Sequence, residues 1–142
     1  DALTEVEAKA KEAGARRALR LAVAGPFHSP LMQEAADNFE KAIADVKFNN
    51  PSKTLFSNVT GKEATDGEEI KKNAVLHLTN PVRWTDEEKV LNDLMEKDGD
   101  EWVLIEPGVG KVLAGLWAKT DYAAKYSCTP VNSVESLDEL VK

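Results

Sequence analysis

The segment EWVLIEPGVGKVLAGLWAKT, residues 101–120, has the pattern of a buried strand followed by a glycine-containing turn and a helix. Strand and helix patterns alternate along the rest of the chain. Strands are predicted at 18–24, 54–61, 101–108 and 126–132, and helices at 3–13, 29–46, 66–79, 84–99, 109–120 and 133–142. This alternation predicts an α/β fold with a largely parallel sheet.

The composition fits one globular domain, with 142 residues of which 42% are hydrophobic and 30% charged. A net charge of −7 argues against nucleic acid or an anionic membrane as a partner, because polyphosphate binding needs a broad basic surface. Cys128 is the single cysteine, which excludes an internal disulfide and a cysteine-based zinc site. We therefore expect a cytoplasmic protein without a metal. The missing initiator methionine suggests a fragment.

The segment GPFHSPLM, residues 25–32, places His28 between a predicted strand and a predicted helix that Ser29 can cap. Loops at strand ends commonly hold functional groups in α/β folds. His28 is therefore a candidate general base, and the alternative is a structural loop histidine. A base needs a nucleophile, and no serine of this chain lies in a G-x-S-x-G elbow.

Gly108 and Gly110 follow a predicted strand and precede a predicted helix, which is the layout of a dinucleotide-binding turn. The next small residue is Ala114 or Gly115, and neither stands at the position that the third glycine of G-x-G-x-x-G requires. The segment also lacks the spacer and the Ser/Thr of a P-loop. A dinucleotide-binding oxidoreductase fragment is therefore one alternative, and a tight strand-to-helix turn is the other.

Four motifs in register resemble one known family. GPFHSPLM (25–32), FSNVTG (56–61), NPVRW (80–84) and EPGVGKVLAGL (106–116) resemble the second half of malonyl-CoA:acyl carrier protein transacylases and related acyltransferase domains. The resemblance implies that residues 24–142 form the C-terminal part of an α/β-hydrolase-like core. It implies that residues 1–23 form the last helix and strand of a ferredoxin-like subdomain.

The resemblance also implies the chemistry. His28 matches the catalytic histidine, and the backbone carbonyl of His77, where the family usually has glutamine, would orient it. The reaction would move a malonyl group from malonyl-CoA through an acyl-serine to the phosphopantetheine thiol of acyl carrier protein, without a cofactor. The family's elbow serine, malonyl-binding arginine and oxyanion loop have no counterpart here, so we expect the isolated chain to be inactive.

Acyl carrier protein is acidic, and a basic patch on this acidic chain could dock it. Residues 1–22 carry a net charge of +1, whereas the rest of the chain carries −8. The candidate docking residues are Lys9, Lys11, Arg16, Arg17 and Arg20. A solvated helix end is the alternative for these residues. A non-catalytic module that binds acyl carrier protein is the alternative for the whole chain.

Overall fold

The computed structural model describes residues 1–99 and 101–141. The helices are α1 (Ala2–Glu12), α2 (Gln33–Ala42), α3 (Gly67–Leu76), α4 (Trp84–Asp98), α5 (Val112–Trp117) and α6 (Val134–Leu140). Short 3-10 helices occur at Pro30–Met32 and Asp121–Ala124. The strands are β1 (Phe56–Ser57), β2 (Lys62–Glu63), β3 (Leu104–Pro107) and β4 (Cys128–Val131). All six predicted helices and three of the four predicted strands are present, although Lys142 of the last predicted helix lies outside the described residues.

The segment 101–120 forms a strand, a turn and a helix, as its pattern predicts. Strand β3 runs parallel to β4, with Leu104 opposite Cys128 and Pro107 opposite Val131. Helix α5 belongs to the crossover that connects these two parallel strands. The backbone N–H of Gly108 donates to the carbonyl of Val131 at 3.0 Å, which extends the pairing into the turn.

The antiparallel pair β1–β2 forms a hairpin whose turn lies against the start of α4. Its turn closes where the backbone N–H of Gly61 donates to the carbonyl of Ser57 at 2.8 Å. Gly61 has a φ of +65°, and a Cβ there would lie 2.5 Å from the Cβ of Asp86. The N–H of Arg83 donates to the carbonyl of Asn58 at 2.9 Å. The hairpin turn and the start of α4 are therefore in close contact.

The described core is small and centres on α4 and α5. Met95 is fully buried, and Trp117 is buried with its indole Nε1 donating to the carbonyl of Tyr126 at 2.7 Å. Small side chains complete the core at Ala36, Ala64 and Ala114. Polar side chains are also buried on the α3 and α4 side of the molecule, at Asn73, Glu87, Glu88 and Asn92.

Three predictions about strands were wrong. Residues 18–24 form no strand, and the apolar side chains of Leu19, Leu21 and Val23 are 75%, 79% and 65% exposed. A strand needs a neighbour to pair with, and no strand of the described residues lies beside this segment. The sheet was predicted to be largely parallel, but the described strands form one parallel pair and one antiparallel pair. The segment at 101–108 was predicted to be buried, but Ile105 is 44% exposed.

The helix predicted at 29–46 is shorter than predicted at both ends. The helix predicted to reach Val46 ends at Ala42, and Lys71 Nζ donates to the carbonyls of Ala44 and Val46 instead. Ser29 was predicted to cap this helix, but its hydroxyl donates to the carbonyl of Pro26 at 2.7 Å. Helix α4 begins at Trp84, as predicted, and its N-cap is Arg83, whose backbone N–H donates to the carbonyl of Asn58 in the hairpin turn.

We expect Gly67→Ala to lower the free energy of unfolding by about 2 kcal/mol, because the core cannot accept the extra methyl group. A Cβ at this position would lie 2.1 Å from the carbonyl oxygen of Phe48, which is backbone and must shift. The control is Gly115→Ala in α5, where no heavy atom lies within 4 Å of the added Cβ. This control should gain up to about 1 kcal/mol from helix propensity. Urea unfolding compares the two, and equal stabilities would contradict the close packing.

Candidate functional site

The loop between residues 24 and 30 holds His28 in a strained conformation. His28 has a φ of +61° and is the one non-glycine residue with positive φ among the described residues. This conformation costs a non-glycine residue on the order of 1–3 kcal/mol, and such residues cluster at functional sites. The loop is fixed because the N–H of His28 donates to the carbonyl of Leu78 at 3.0 Å and Ser29 Oγ donates to Pro26.

The side chain of His28 is fixed at the same place. Its Nδ1 lies 2.8 Å from the carbonyl oxygen of His77, and the residue is exposed to solvent. A carbonyl oxygen can only accept a hydrogen bond, so Nδ1 must carry the hydrogen. In the neutral ring Nε2 is then without a hydrogen and can accept a proton. The structure thus brings together the two residues that the sequence singled out, His28 and His77.

The C-terminal end of α3 supplies both carbonyls that hold His28. His77 is the residue that caps this end, and its N–H donates to the carbonyl of Asn73 at 2.9 Å. The carbonyl of Leu76 is occupied, since Asn80 Nδ2 donates to it at 2.8 Å. The carbonyls of His77 and Leu78 are turned toward the His28 loop. The end of a helix carries partial negative charge, which favours a cation at this position.

The imidazole of His77 lies against that of His28, with ring centroids 4.8 Å apart and planes tilted by 44°. Burial, and secondarily the charge of His28, lowers the pKa of His77 from its ordinary value of 6.5. His77 is therefore neutral at pH 7. Its Nε2 lies 3.3 Å from the nearer end of the Asn58 side-chain amide.

The sequence analysis missed two polar residues behind this pair. Asn58 follows β1, and Glu87 lies in the first turn of α4 with its side chain buried. Burial raises the pKa of the Glu87 carboxyl group from its ordinary value. Asn58 lies in the FSNVTG motif, which was the available signal. Nothing in the sequence marked Glu87 as a site residue, because acidic residues are common in the first turn of a helix, where the helix dipole favours them.

No nucleophile of the described residues contacts the His28 ring. The hydroxyl of Ser29 is used by the loop. Cys128 is half-buried in β4, and burial, together with the charge of Glu106, raises the pKa of its thiol, which disfavours the reactive thiolate. The described residues also contain no group of three or more His, Cys, Asp or Glu side chains that could hold a metal ion.

The predicted docking residues are exposed, but the structure distinguishes one of them. Arg20 forms ion pairs with Asp1 and Glu7 and also donates to Thr4 Oγ1 at 2.8 Å. Within the described ranges, the remaining four form no ion pair; they are Lys9, Lys11, Arg16 and Arg17. Among the candidate docking residues, the unpaired positive charge therefore lies on α1 and just after it.

The glycine turn after β3 holds a carboxylate where a dinucleotide phosphate would bind. Glu106 accepts hydrogen bonds from the backbone N–H groups of Leu113 and Ala114 at 3.0 and 2.8 Å. A bound phosphate would have to displace this carboxylate and would be repelled by its charge. The turn thus joins a strand to a helix that its own side chain caps, which argues against the dinucleotide-binding alternative. Across residues 1–99 and 101–141, no helix has the length and apolar character needed to span a membrane.

Comparison with known proteins gives consistent results. The chain is 42% identical to the malonyl CoA-acyl carrier protein transacylase of Haemophilus influenzae over 115 residues, which are 81% of this chain and 35% of that protein. It is 33% identical to the Staphylococcus aureus protein of the same name, over 97% of this chain and 42% of that protein. No family model matches the chain.

Solved structures give the same result. An acyl carrier protein S-malonyltransferase from Vibrio cholerae matches with a TM-score of 0.79 at 39% identity, over 99% of this chain and 44% of that chain. A malonyl-transacylase solved with a type II polyketide synthase acyl carrier protein matches with a TM-score of 0.78 at 34% identity, over 96% of this chain and 42% of that chain. The chain therefore spans less than half the length of these relatives.

These relatives belong to one class of proteins, the acyltransferases. Their names mention a malonyl group, acyl carrier protein or both. Within this class, the chain belongs, as a homologous segment, to the family of malonyl CoA-acyl carrier protein transacylases. The resemblance predicted from the four sequence motifs is confirmed. The mixed helices and small sheets of the described residues match the fold of these structures over nearly the whole chain.

We expect Glu106→Gln to destabilise the chain at pH 7. The N–H groups of Ala114 and Leu113 lower the pKa of the Glu106 carboxyl group below its ordinary value of 4.5. Its stabilisation is therefore complete above the pKa of the unfolded chain and is lost as the pH falls through the lowered pKa of the folded state.

Thermal unfolding from pH 7 to pH 2 tests this expectation. The difference in Tm between wild type and Glu106→Gln should become smaller as the pH is lowered. Glu139→Gln, at an exposed position in α6, is the control and should show a smaller difference at pH 7. A difference for Glu106→Gln that does not change with pH would contradict the capping role.

Proposed function

We propose that this chain supplies the general base, His28, to a malonyl-CoA:acyl carrier protein transacylase, and that the nucleophilic serine comes from outside these 142 residues. The observation that carries the proposal is the 2.8 Å contact between His28 Nδ1 and the carbonyl oxygen of His77. It leaves Nε2 of an exposed imidazole as the proton acceptor. On this proposal the chain alone is inactive, because a base without a nucleophile has no covalent route.

In the first half of the reaction, the serine hydroxyl attacks the thioester carbonyl of malonyl-CoA while His28 Nε2 takes its proton. The C–S bond breaks, and the thiol of coenzyme A leaves with the proton that Nε2 returns. In the second half, the phosphopantetheine thiol of acyl carrier protein gives its proton to Nε2 and attacks the acyl-serine. The serine recovers a proton as it leaves, so no cofactor is consumed.

The end of α3 supports this cycle. The imidazolium that forms twice per turnover lies at the negative end of a helix, and its Nδ1 hydrogen keeps the same acceptor throughout. The neutral His77 ring beside it adds no opposing positive charge. The hydrogen bond from the N–H of His28 to Leu78 fixes the backbone of the loop, so the base does not need to be oriented anew at each step.

The larger architecture belongs to the same proposal. Residues 24–142 would be the C-terminal part of an α/β-hydrolase-like core, and residues 1–23 would end a ferredoxin-like subdomain. The family named by the relatives, whose members include enzymes from Haemophilus influenzae and Escherichia coli, supports a place in fatty acid biosynthesis. The cytoplasmic location stays a prediction from the sequence.

We expect His28→Ala to lower the rate of malonyl transfer by on the order of 10²–10⁴ in a transacylase that contains this chain, the usual range for losing a general base. His77→Gln should be nearly neutral, because this substitution leaves the backbone carbonyl in place. Steady-state kinetics with malonyl-CoA and holo-acyl carrier protein measure both variants. If His77→Gln costs as much as His28→Ala, the imidazole of His77 takes part directly, and the backbone acceptor is the wrong account.

The basic residues of α1 and the segment after it support docking of acyl carrier protein. Arg16 and Arg17 are exposed and form no ion pair within the described residues, whereas Arg20 is held by Asp1 and Glu7. A relative of this chain has been solved in complex with an acyl carrier protein. Local positive charge can attract an acidic partner even when the whole chain is acidic.

We expect the double substitution Arg16→Glu and Arg17→Glu to raise the apparent KM for acyl carrier protein and to leave the KM for malonyl-CoA unchanged. The effect should be largest at low salt, because ions screen exposed charges. Arg20→Gln is the control and should change the KM less, because its charge is already paired. Equal effects on both substrates would rule out a docking role.

A further inference from the structure

A line of three polar side chains leads from the His28 site into the interior of the protein. The Asn58 amide lies between the imidazole of His77 and the carboxylate of Glu87. One end of the amide is 3.3 Å from His77 Nε2. The other end lies 2.8 and 3.0 Å from the two carboxylate oxygens of Glu87. The three residues come from three elements, namely the turn after β1, the end of α3 and the first turn of α4.

The chemistry of the carboxylate decides the orientation of the amide. An ionised carboxylate can only accept hydrogen bonds, so the amide oxygen cannot face it favourably. With the NH₂ group toward Glu87, the nitrogen donates to Oε1 and Oε2. The amide oxygen then takes the position that faces His77 Nε2. Hydrogen positions follow from the network in this way, because an amide oxygen and nitrogen have nearly the same shape.

This orientation also determines the tautomer of His77. An amide oxygen facing Nε2 requires a hydrogen on Nε2, so Nδ1 of the neutral ring is bare. The opposite amide orientation would place the hydrogen on Nδ1. The two histidines are therefore in opposite tautomers, because His28 carries its hydrogen on Nδ1, where it meets the carbonyl of His77.

The burial of Glu87 gives this arrangement its rigidity. Glu87 is 8% exposed, and burying a carboxylate costs less free energy when hydrogen-bond donors satisfy it. The Asn58 amide is its donor in the described structure. The neighbouring Glu88 is equally buried, but its Oε1 has no hydrogen-bond partner among the described residues and does not join the network.

We propose that Glu87 and Asn58 are positioning residues for His28: the carboxylate orients the amide, and the amide holds the His77 ring as its Nε2–H tautomer against the His28 ring. This inference rests on the proposed role of His28 as the base. The ring and the carbonyl that orients His28 belong to the same residue, so fixing one restrains the other. Glutamine at position 77 could donate its amide N–H to Asn58 in the same way, and alanine could not.

Nitrogen-15 NMR of the histidine rings tests the network directly in the 142-residue chain. The chain has only two histidines, so the ring signals are assigned by comparison with His77→Gln. At pH 7 we expect Nε2–H for His77 and Nδ1–H for His28. This measurement needs no substitution in the network itself. A bare Nε2 on His77 would overturn the proposal.

Two isosteric substitutions test the role of the carboxylate. Glu87→Gln replaces the obligatory acceptor with an amide that can face Asn58 either way, so His77 should become a mixture of tautomers. Glu88→Gln is the matched control, on the same turn of α4 and equally buried, and should leave His77 as Nε2–H. An unchanged His77 in Glu87→Gln, or the same change in both variants, would overturn the proposal.

Kinetics in a transacylase that contains this chain test the positioning role. His77→Ala and Glu87→Gln should each lower kcat by about tenfold with little change in the KM for malonyl-CoA, because a misaligned base affects the chemical step. His77→Gln should keep the wild-type kcat, in contrast to His77→Ala. A merely structural defect at position 77 would not predict this contrast. If kcat stays at the wild-type value in His77→Ala, positioning is refuted. Failure of the proposed function itself would appear separately, as full activity in His28→Ala.

Discussion

The hydrogen bond between His28 Nδ1 and the carbonyl of His77 is the contact on which the site depends. It joins residues 49 positions apart in the sequence and connects the loop before α2 to the end of α3. A second bond, from the N–H of His28 to Leu78, makes the connection rigid and supports the positive φ of His28. Backbone strain of this kind persists only where surrounding contacts determine the conformation. Here those contacts are two carbonyls of one helix end.

The interior of the protein supports this contact through polar groups rather than apolar packing. The hairpin turn after β1 is held against α4 through Asn58 and Arg83, and the same turn presents the Asn58 amide to His77 and Glu87. A buried carboxylate is costly in most cores. At Glu87 the Asn58 amide donates hydrogen bonds to the carboxylate and offsets this cost. The same hydrogen bonds fix the orientation of the amide beside His77. Glu106 is not buried in this way, but its carboxylate is also held in one orientation, because it accepts hydrogen bonds from the N-terminal N–H groups of α5.

The large exposed apolar side chains are consistent with the length comparison. The chain spans 35–44% of the relatives described above. Leu19, Leu21 and Val23 alternate along a segment that has the pattern of a strand and yet pairs with nothing in the described structure. The pattern of a strand is a property of the sequence, whereas a strand itself requires a neighbouring chain segment. The difference between prediction and structure at 18–24 follows from this requirement.

The sequence by itself determined the helices, the parallel strand pair around the 101–120 segment and the family, and its resemblance to that family made His28 and His77 candidate site residues. These follow from periodicity and from motifs that are local in the chain. The tertiary structure alone decided which groups face each other: Asn58 between His77 and Glu87, Glu106 on the end of α5, and Arg20 in ion pairs while Arg16 and Arg17 remain unpaired within the described residues. Such contacts join residues far apart in the sequence. Their orientation depends on burial and on hydrogen-bond complementarity, which no local pattern records.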